Sequence, residues 1–277
     1  MATSSNSRRP AESTGPTSAS LPIRPGRRAL VRRPVDSLAE GQITHIERMP
    51  IDLDLARAQW DGYVAALEAQ GWATTAVEPA PDQPDSVFIE DAVILFGDTA
   101  VLSSPGAPSR RGETAGAEAA VRTLGLTVRR IELPGTLDGG DVLKVGTTVY
   151  VGQSLRTNTD GAAQLAAIAE PLGYTVLTVP VTRALHLKTA ITALPDGTVI
   201  GYPPLVDDAD RFESFLPVPE AEGTAVVILD ERTLLMSAAA PRTTALLTGL
   251  GYTVVTVDIT EFEKLEGCVT CLSVRVR

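Results

Sequence analysis

Val142-Leu-Lys-Val-Gly-Thr-Thr-Val-Tyr-Val151, an Ala/Leu-rich stretch over 159–172 and Leu172-Gly-Tyr-Thr-Val176 together make one unit of hairpin, helix and strand. Two short apolar runs meeting at a Gly turn read as a hairpin. Gly173 suits the left-handed position that stops a helix, and Asn158 and Thr159 are candidate caps at its start. The hairpin recurs in Val93-Ile-Leu-Phe-Gly-Asp-Thr-Ala-Val-Leu102 and Ile191-Thr-Ala-Leu-Pro-Asp-Gly-Thr-Val-Ile200, with a weaker copy in Asp230-Glu-Arg-Thr-Leu-Leu-Met236. The helix stop recurs in Gln70-Gly-Trp72, Leu124-Gly-Leu-Thr-Val128 and Leu250-Gly-Tyr-Thr-Val254, behind amphipathic segments at 52–70, 113–124 and 241–250. The first three hairpins lie roughly 50 residues apart, in the range of a repeat architecture. The unit occurs about five times if the two ends of the chain complete one copy. A ring of such units is a five-bladed α/β propeller, with an ordinary α/β sheet as the alternative. Fixed-period hairpins followed by helices argue against a doubly wound order.

Composition excludes several function classes. The chain has 277 residues, is 44% hydrophobic and carries a formal charge of -10, which argues against a nucleic-acid or anionic-membrane partner and suits a cationic ligand. Two cysteines make no disulfide framework. No apolar run approaches the ~20 residues of a membrane span, and the N-terminus lacks the apolar region of a signal peptide. The expectation is a soluble, cytoplasmic protein. Residues 1–27 are Ser/Thr/Pro/Ala/Gly/Arg-rich, which predicts a disordered tail, and 28–277 a single domain. Its Arg-rich, acid-poor look resembles an organellar presequence, but a dispensable extension is the reading adopted. No phosphate-binding Gly motif is present.

The residues able to do chemistry are few. Cys271 opens the alternating run Leu272, Val274, Val276 at the chain end and is the candidate nucleophile. His186, in Arg183-Ala-Leu-His-Leu-Lys-Thr189, has His45 as its sole competitor for a general base. A lone histidine among apolar neighbours is also a common core residue. Thr136-Leu-Asp-Gly-Gly-Asp141 offers a carboxylate to orient it, or is merely an Asp-Gly turn. Asp85-Ser-Val-Phe-Ile-Glu-Asp91 sets three acids around an apolar segment, either a cation site or a solvated strand entrance. Strand alternation would put Glu90 and Asp91 on opposite faces, so both reach one ligand only across a bend. Arg110 and Arg111, in Pro105-Gly-Ala-Pro-Ser-Arg-Arg111, and Arg156 are loop guanidiniums that could fork a carboxylate or simply be solvated. Cys268-Val-Thr-Cys271 lacks the second pair of a zinc site and the following helix of a thioredoxin-type motif.

Taken together, Asp85–Asp91, Pro105–Arg111, Leu137-Asp-Gly-Gly-Asp-Val-Leu143, Arg156-Thr-Asn158, Leu185-His-Leu-Lys188 and Thr270-Cys-Leu-Ser273 resemble dimethylarginine dimethylaminohydrolase, in that family's order and over nearly everything from residue 28 onward. The resemblance implies the pentein fold, a five-bladed α/β propeller of ββαβ repeats with pseudo-five-fold symmetry. It implies hydrolysis of Nω-methylated arginine to citrulline and a methylamine, with no metal or other cofactor. Cys271 then matches the nucleophile, His186 the general acid/base and Asp138 the carboxylate that orients it. Asp85, Glu90 and Asp91 match acids lining the substrate site. Arg110 and Arg156 match residues gripping the amino-acid end, and Leu265 a position whose backbone lies near the amino group. Thr189 stands where the animal enzymes have Ser, Glu266 where they have Asp and Cys268 where an apolar residue is usual. The lid around Gly41-Gln-Ile-Thr-His45 matches loosely. The expected partner is a small methylated-arginine substrate, with no nucleic acid or membrane, on a monomer or homodimer. The alternatives are an arginine deiminase or amidinotransferase and, from another class, a non-catalytic binding module. The short chain, without a large inserted helical domain, argues against a typical deiminase. The presence of both Cys and His argues against a binding module.

Overall fold

The computed structural model describes Met1 and residues 26–277, so the tail assigned to residues 1–27 lies almost wholly outside the described residues. The described chain builds five three-stranded sheets. The first blade begins with β1 (Arg28–Val31), α1 (Leu53–Ala69) and β2 (Ala73–Ala76). The second is β3 (Val93–Phe96), β4 (Thr99–Leu102), α2 (Thr114–Thr123) and β5 (Thr127–Arg130). The third is β6 (Val142–Val145), β7 (Thr148–Gln153), α3 (Thr159–Ala169) and β8 (Thr175–Pro180). The single turn α4 (Leu187–Ala190) leads into the fourth, β9 (Ile191–Ala193), β10 (Val199–Gly201) and β11 (Phe215–Pro217). The fifth is β12 (Val226–Ile228), β13 (Thr233–Ser237), α5 (Pro241–Gly249) and β14 (Thr253–Val257). After α6 (Thr260–Glu263), β15 (Val274–Val276) pairs antiparallel with β1 and closes the ring with the two chain ends in one sheet. In each sheet the first strand pairs antiparallel with the second, and the second parallel with the third, as the ββαβ repeat requires.

The fourth blade departs from the repeat. Between β10 and β11 it has two short 3-10 turns, Pro203–Leu205 and Ala209–Arg211, instead of an α-helix. Pro203 and Pro204 remove backbone donors, and the Asp207 carboxylate is taken up by the Thr182 N–H at 2.7 Å rather than by a helix of its own segment. The other helices sit where their end signals put them. The Asp52 carboxylate accepts the Leu55 N–H at 3.0 Å to start α1, and Gly71, at φ 79°, stops it. Gly173 and Gly251 hold the same left-handed backbone, at φ 92° and 93°.

The α1 face of Ala56, Trp60, Tyr63 and Leu67 packs into a cluster with Trp72, Phe262 and Leu272. Each large apolar side chain so buried contributes about 1.5–3 kcal/mol. The Tyr63 hydroxyl lies 2.9 Å from the Val269 carbonyl, to which it donates, and 2.7 Å from Ser273 Oγ. It thereby anchors the segment that carries Cys271. Inner strands β3, β6, β9, β12 and β15 line a cavity of about 250 Å³ on the propeller axis. Among the described residues no helix is long and apolar enough to cross a membrane.

Candidate active site

The chemistry does not sit in the larger axial cavity but at one rim, where tight turns feed the inner strands. Two successive 3-10 turns, Pro84–Val87 and Ile89–Ala92, precede β3 and carry Asp85, Glu90 and Asp91. Gly139–Asp141 forms the turn before β6, next to Asp138. His186 caps α4 ahead of β9. Cys271 lies in the turn before β15, whose strand starts only at Val274 because the Cys271 N–H bonds the Cys268 carbonyl at 3.1 Å. The turn before β12 contributes nothing to this pocket, which is lined by Asp85, Asp91, Arg110, Arg156, His186, Leu265 and Cys271. Arg110 and Arg156 come from the loops that follow β4 and β7 at the same rim.

His186 is held between carboxylates. Its Nε2 lies 3.0 Å from Asp138 Oδ2, and its Nδ1 lies 3.8 Å from Asp91 Oδ1. Asp138 is fixed in turn by the Gly106 N–H on Oδ1 at 2.9 Å, and Asp91 by the Gly140 N–H at 2.9 Å. Glycine is required at 140, since a Cβ there would stand 2.6 Å from His186 Nδ1 and 2.7 Å from Asp91 Oδ1. The second acid of the motif, Asp141, turns away and accepts from Ser154 Oγ at 2.6 Å, Thr157 Oγ1 at 2.7 Å and the Leu187 N–H at 2.9 Å. It thus ties the β6 turn to the start of α4, and burial pushes its carboxyl up to about 6.

Burial pulls the His186 imidazolium down, but Asp91, the Asp138 hydrogen bond and Asp141 outweigh it and push its pKa up to about 9. Against burial, His186 and Arg110 hold Asp91 down to about 2. Since His186 binds its proton more tightly folded than unfolded, its contribution to stability is complete below 6.5 and disappears as pH rises through about 9. Lys144, lowered to about 8 chiefly by burial, acts with the opposite sign above that pH. The clean window is therefore pH 6.5 to 8. Thermal melts should show wild-type stability falling there relative to His186→Gln, at up to about 1.4 kcal/mol per pH unit. Parallel curves for the two proteins would show that the imidazolium is not stabilised in the fold.

Arg110 is spent within the protein. Its Nε and Nη2 each lie 2.8 Å from a Glu113 oxygen and its Nη1 2.8 Å from Asp91 Oδ2, while Nη2 also donates to the Asp85 carbonyl at 3.3 Å. The i,i+3 spacing of Arg110 and Glu113 was the one sequence signal for this pair. Arg156 is different: its Nη2 donates to Gln42 Oε1 at 3.0 Å, while its buried Nη1 has no hydrogen-bond partner among the described residues. Gln42, which sequence reasoning missed, also gives its backbone N–H to both Asp85 oxygens at 3.1 Å, so the 41–45 loop closes over the pocket. Glu266 latches that loop, accepting the Thr44 N–H at 2.5 Å and the His45 N–H at 3.0 Å. It does so from a left-handed backbone, φ 59°, a cost that these two charge-assisted bonds offset.

Glu90 is not brought to the pocket. It points toward the axial cavity, pairs with Lys188 at 2.7 Å and Arg275 at 2.9 Å, and accepts the Thr270 hydroxyl at 2.8 Å. These cations outweigh burial and lower its pKa. Adjacent Glu90 and Asp91 thus face opposite ways even in a tight turn. Cys271, 6% exposed, has its thiol 3.2 Å from Cys268 Sγ. That hydrogen bond, then burial and the nearby Glu90 and Asp91 charges, push the Cys271 thiol well above its ordinary value. Among the described residues, Asp91, Asp138 and His186 are the one group of potential metal ligands, with atoms within 4.8 Å of one another. The two carboxylates are already engaged by backbone N–H groups, Arg110 and the imidazole, against which a cation would have to compete.

The arginine deiminase family model matches residues 68–240. The chain is 60% identical over 253 residues to a dimethylarginine dimethylaminohydrolase of Streptomyces coelicolor, covering 91% of this chain and 98% of that one. It is 37% identical to the protein of that name from Pseudomonas aeruginosa, covering 89% and 98%. A solved structure of the Pseudomonas aeruginosa enzyme, a cysteine-to-serine mutant complexed with citrulline, superposes with TM-score 0.83 at 35% identity, over 90% of this chain and 99% of that one.

Proposed function

The chain belongs to the dimethylarginine dimethylaminohydrolase family and is an amidine hydrolase, and we infer that it hydrolyses Nω-methylated arginine to L-citrulline and di- or monomethylamine through a thiouronium on Cys271. The observation that carries this reading is a buried histidine set 3.0 Å from Asp138 and 3.8 Å from Asp91, in the same small pocket as the buried Cys271 thiol. The Streptomyces and Pseudomonas relatives bear the name of this activity.

The guanidinium cation seats against Asp91, and Asp85 receives it once Gln42 lifts. A guanidinium is a poor electrophile because its charge is delocalised, so the carboxylates must hold it planar above the sulfur. The same positive charge reverses the field that raises the Cys271 pKa, so that the thiol yields its proton to solvent and the thiolate forms. Cys271 Sγ bonds to the central carbon, and the His186 imidazolium gives its proton to the methylated nitrogen, which departs as the amine. Neutral His186 then takes a proton from water. The hydroxide adds to the thiouronium carbon, the C–S bond breaks as the added hydroxyl gives up its proton, that proton restores the Cys271 thiol, and citrulline leaves. Asp138 holds the imidazole in orientation through both steps. Arg156, whose Nη1 makes no hydrogen bond and only a 3.7 Å ion pair with Asp138, takes the α-carboxylate. Arg110 contributes its charge and holds Asp91 in place.

Citrulline release from asymmetric dimethylarginine, monomethylarginine and arginine, measured side by side, tests the reading. Turnover of the methylated substrates with little from arginine is expected. A preference for arginine would make the chain a deiminase with the same site. Absence of turnover on every guanidine would overturn the catalytic reading.

A further inference from the structure

Cys268 has no part in the chemistry above, yet it is the nearest reactive group to the nucleophile. The two sulfurs lie 3.2 Å apart, and the chain contains no other cysteine. The Cys271 N–H donates to the Cys268 carbonyl at 3.1 Å, so residues 268–271 form a β-turn. Such a turn keeps its end Cα atoms within ~7 Å, which overlaps the ~4.4–6.8 Å that a disulfide spans. Both thiols are free and lie on one side of the turn, where modest side-chain rotation brings the sulfurs to bonding distance.

We propose that Cys268 and Cys271 are a hydroperoxide-driven modification site, in which hydrogen peroxide joins them as an intramolecular disulfide that a dithiol reverses. Cys268 is half-buried, whereas Cys271 is buried. Its hydrogen bonds with Cys271 Sγ and with Thr270 Oγ1, each at 3.2 Å, lower the Cys268 pKa and favour it as the first sulfur to react. Its thiolate attacks one peroxide oxygen, the O–O bond breaks, and the departing hydroxide takes up the thiol's proton as water, leaving a sulfenic acid. The Cys271 thiol then attacks that sulfur. The S–S bond forms, the S–O bond breaks, and the hydroxyl leaves as a second water with the Cys271 proton. Two thiols lose two electrons in all, and one peroxide becomes two waters. Reaction in the opposite order gives the same bond. The disulfide also spares the site from irreversible oxidation, because a sulfenic acid trapped by a thiol does not proceed to sulfinic acid. That it stops turnover rests on Cys271 being the nucleophile, whereas its formation does not.

The test treats the full chain with hydrogen peroxide and follows intact mass, titratable thiols in denaturant and citrulline release. The expected product has lost two hydrogen atoms in mass and both titratable thiols. Turnover should fall in proportion to this species and return on adding dithiothreitol. In Cys268→Ser the two-hydrogen loss should vanish, replaced by gain of oxygen on Cys271 that dithiothreitol does not fully reverse. Wild-type protein that keeps both thiols, or gains only oxygen, would overturn the proposal. The disulfide species with full turnover would leave the modification standing and remove Cys271 as the nucleophile.

Discussion

Cys271→Ser is expected to lower citrulline release at least about 1,000-fold while leaving the melting temperature close to wild type. The hydrogen bond with Cys268, then burial and the nearby Glu90 and Asp91 charges, disfavour ionisation of the group at this position until a cation arrives. A thiol can still ionise when the substrate reverses that field. A hydroxyl, with a far higher intrinsic pKa, remains neutral under the same shift and is a poor nucleophile. The fold has little reason to respond. The backbone bonds at this position, from the Cys271 N–H to the Cys268 carbonyl and from the Glu90 N–H to the Cys271 carbonyl, do not involve the side chain. A serine variant within tenfold of wild-type turnover would mean that another group forms the covalent bond.

The second large effect is on His186. His186→Gln is expected to reduce turnover by about 10²- to 10⁴-fold, the usual range for losing a general acid/base. Glutamine is the informative replacement because its amide N–H can still serve Asp138 Oδ2, which is wholly buried and would otherwise lose a donor. The loss should divide between the two chemical steps. With an amine leaving group, the first step stalls for want of a proton, and acid-quenched protein should show no adduct. With an S-alkyl thiocitrulline, whose thiolate leaves without protonation, the thiouronium should form and then persist, because nothing deprotonates water. Quenched mass spectra showing rapid clearance of that adduct in the variant would remove His186 from the second step.

Much of the fold was legible because its signals are local. A Gly turn between two apolar runs sets a hairpin whatever the rest of the chain does, and α1, α2, α3 and α5 fall within a few residues of the segments read from periodicity and caps. The fourth blade's missing helix could have been read from Pro203-Pro204 and the aspartates that follow. The candidate site was legible as a set of residues through its resemblance to a family, not through spacing. His186 and Asp138 are 48 residues apart, and their contact exists only because β6 and β9 begin at one rim.

The sequence by itself determined the blades and their order, because turn geometry, capping and periodicity are decided within about ten residues. Only the tertiary structure decided how those residues divide the work. Glu90 and Asp91 are neighbours in the chain, yet one neutralises Lys188 and Arg275 near the axis and the other flanks His186 in the pocket. Gln42 spans Asp85 and Arg156 across 43 and 114 residues of chain, with no local pattern to announce it. Such assignments follow from which buried charge can find a partner. Desolvating an unpaired charge costs several kcal/mol, and that choice is settled only when the ring closes.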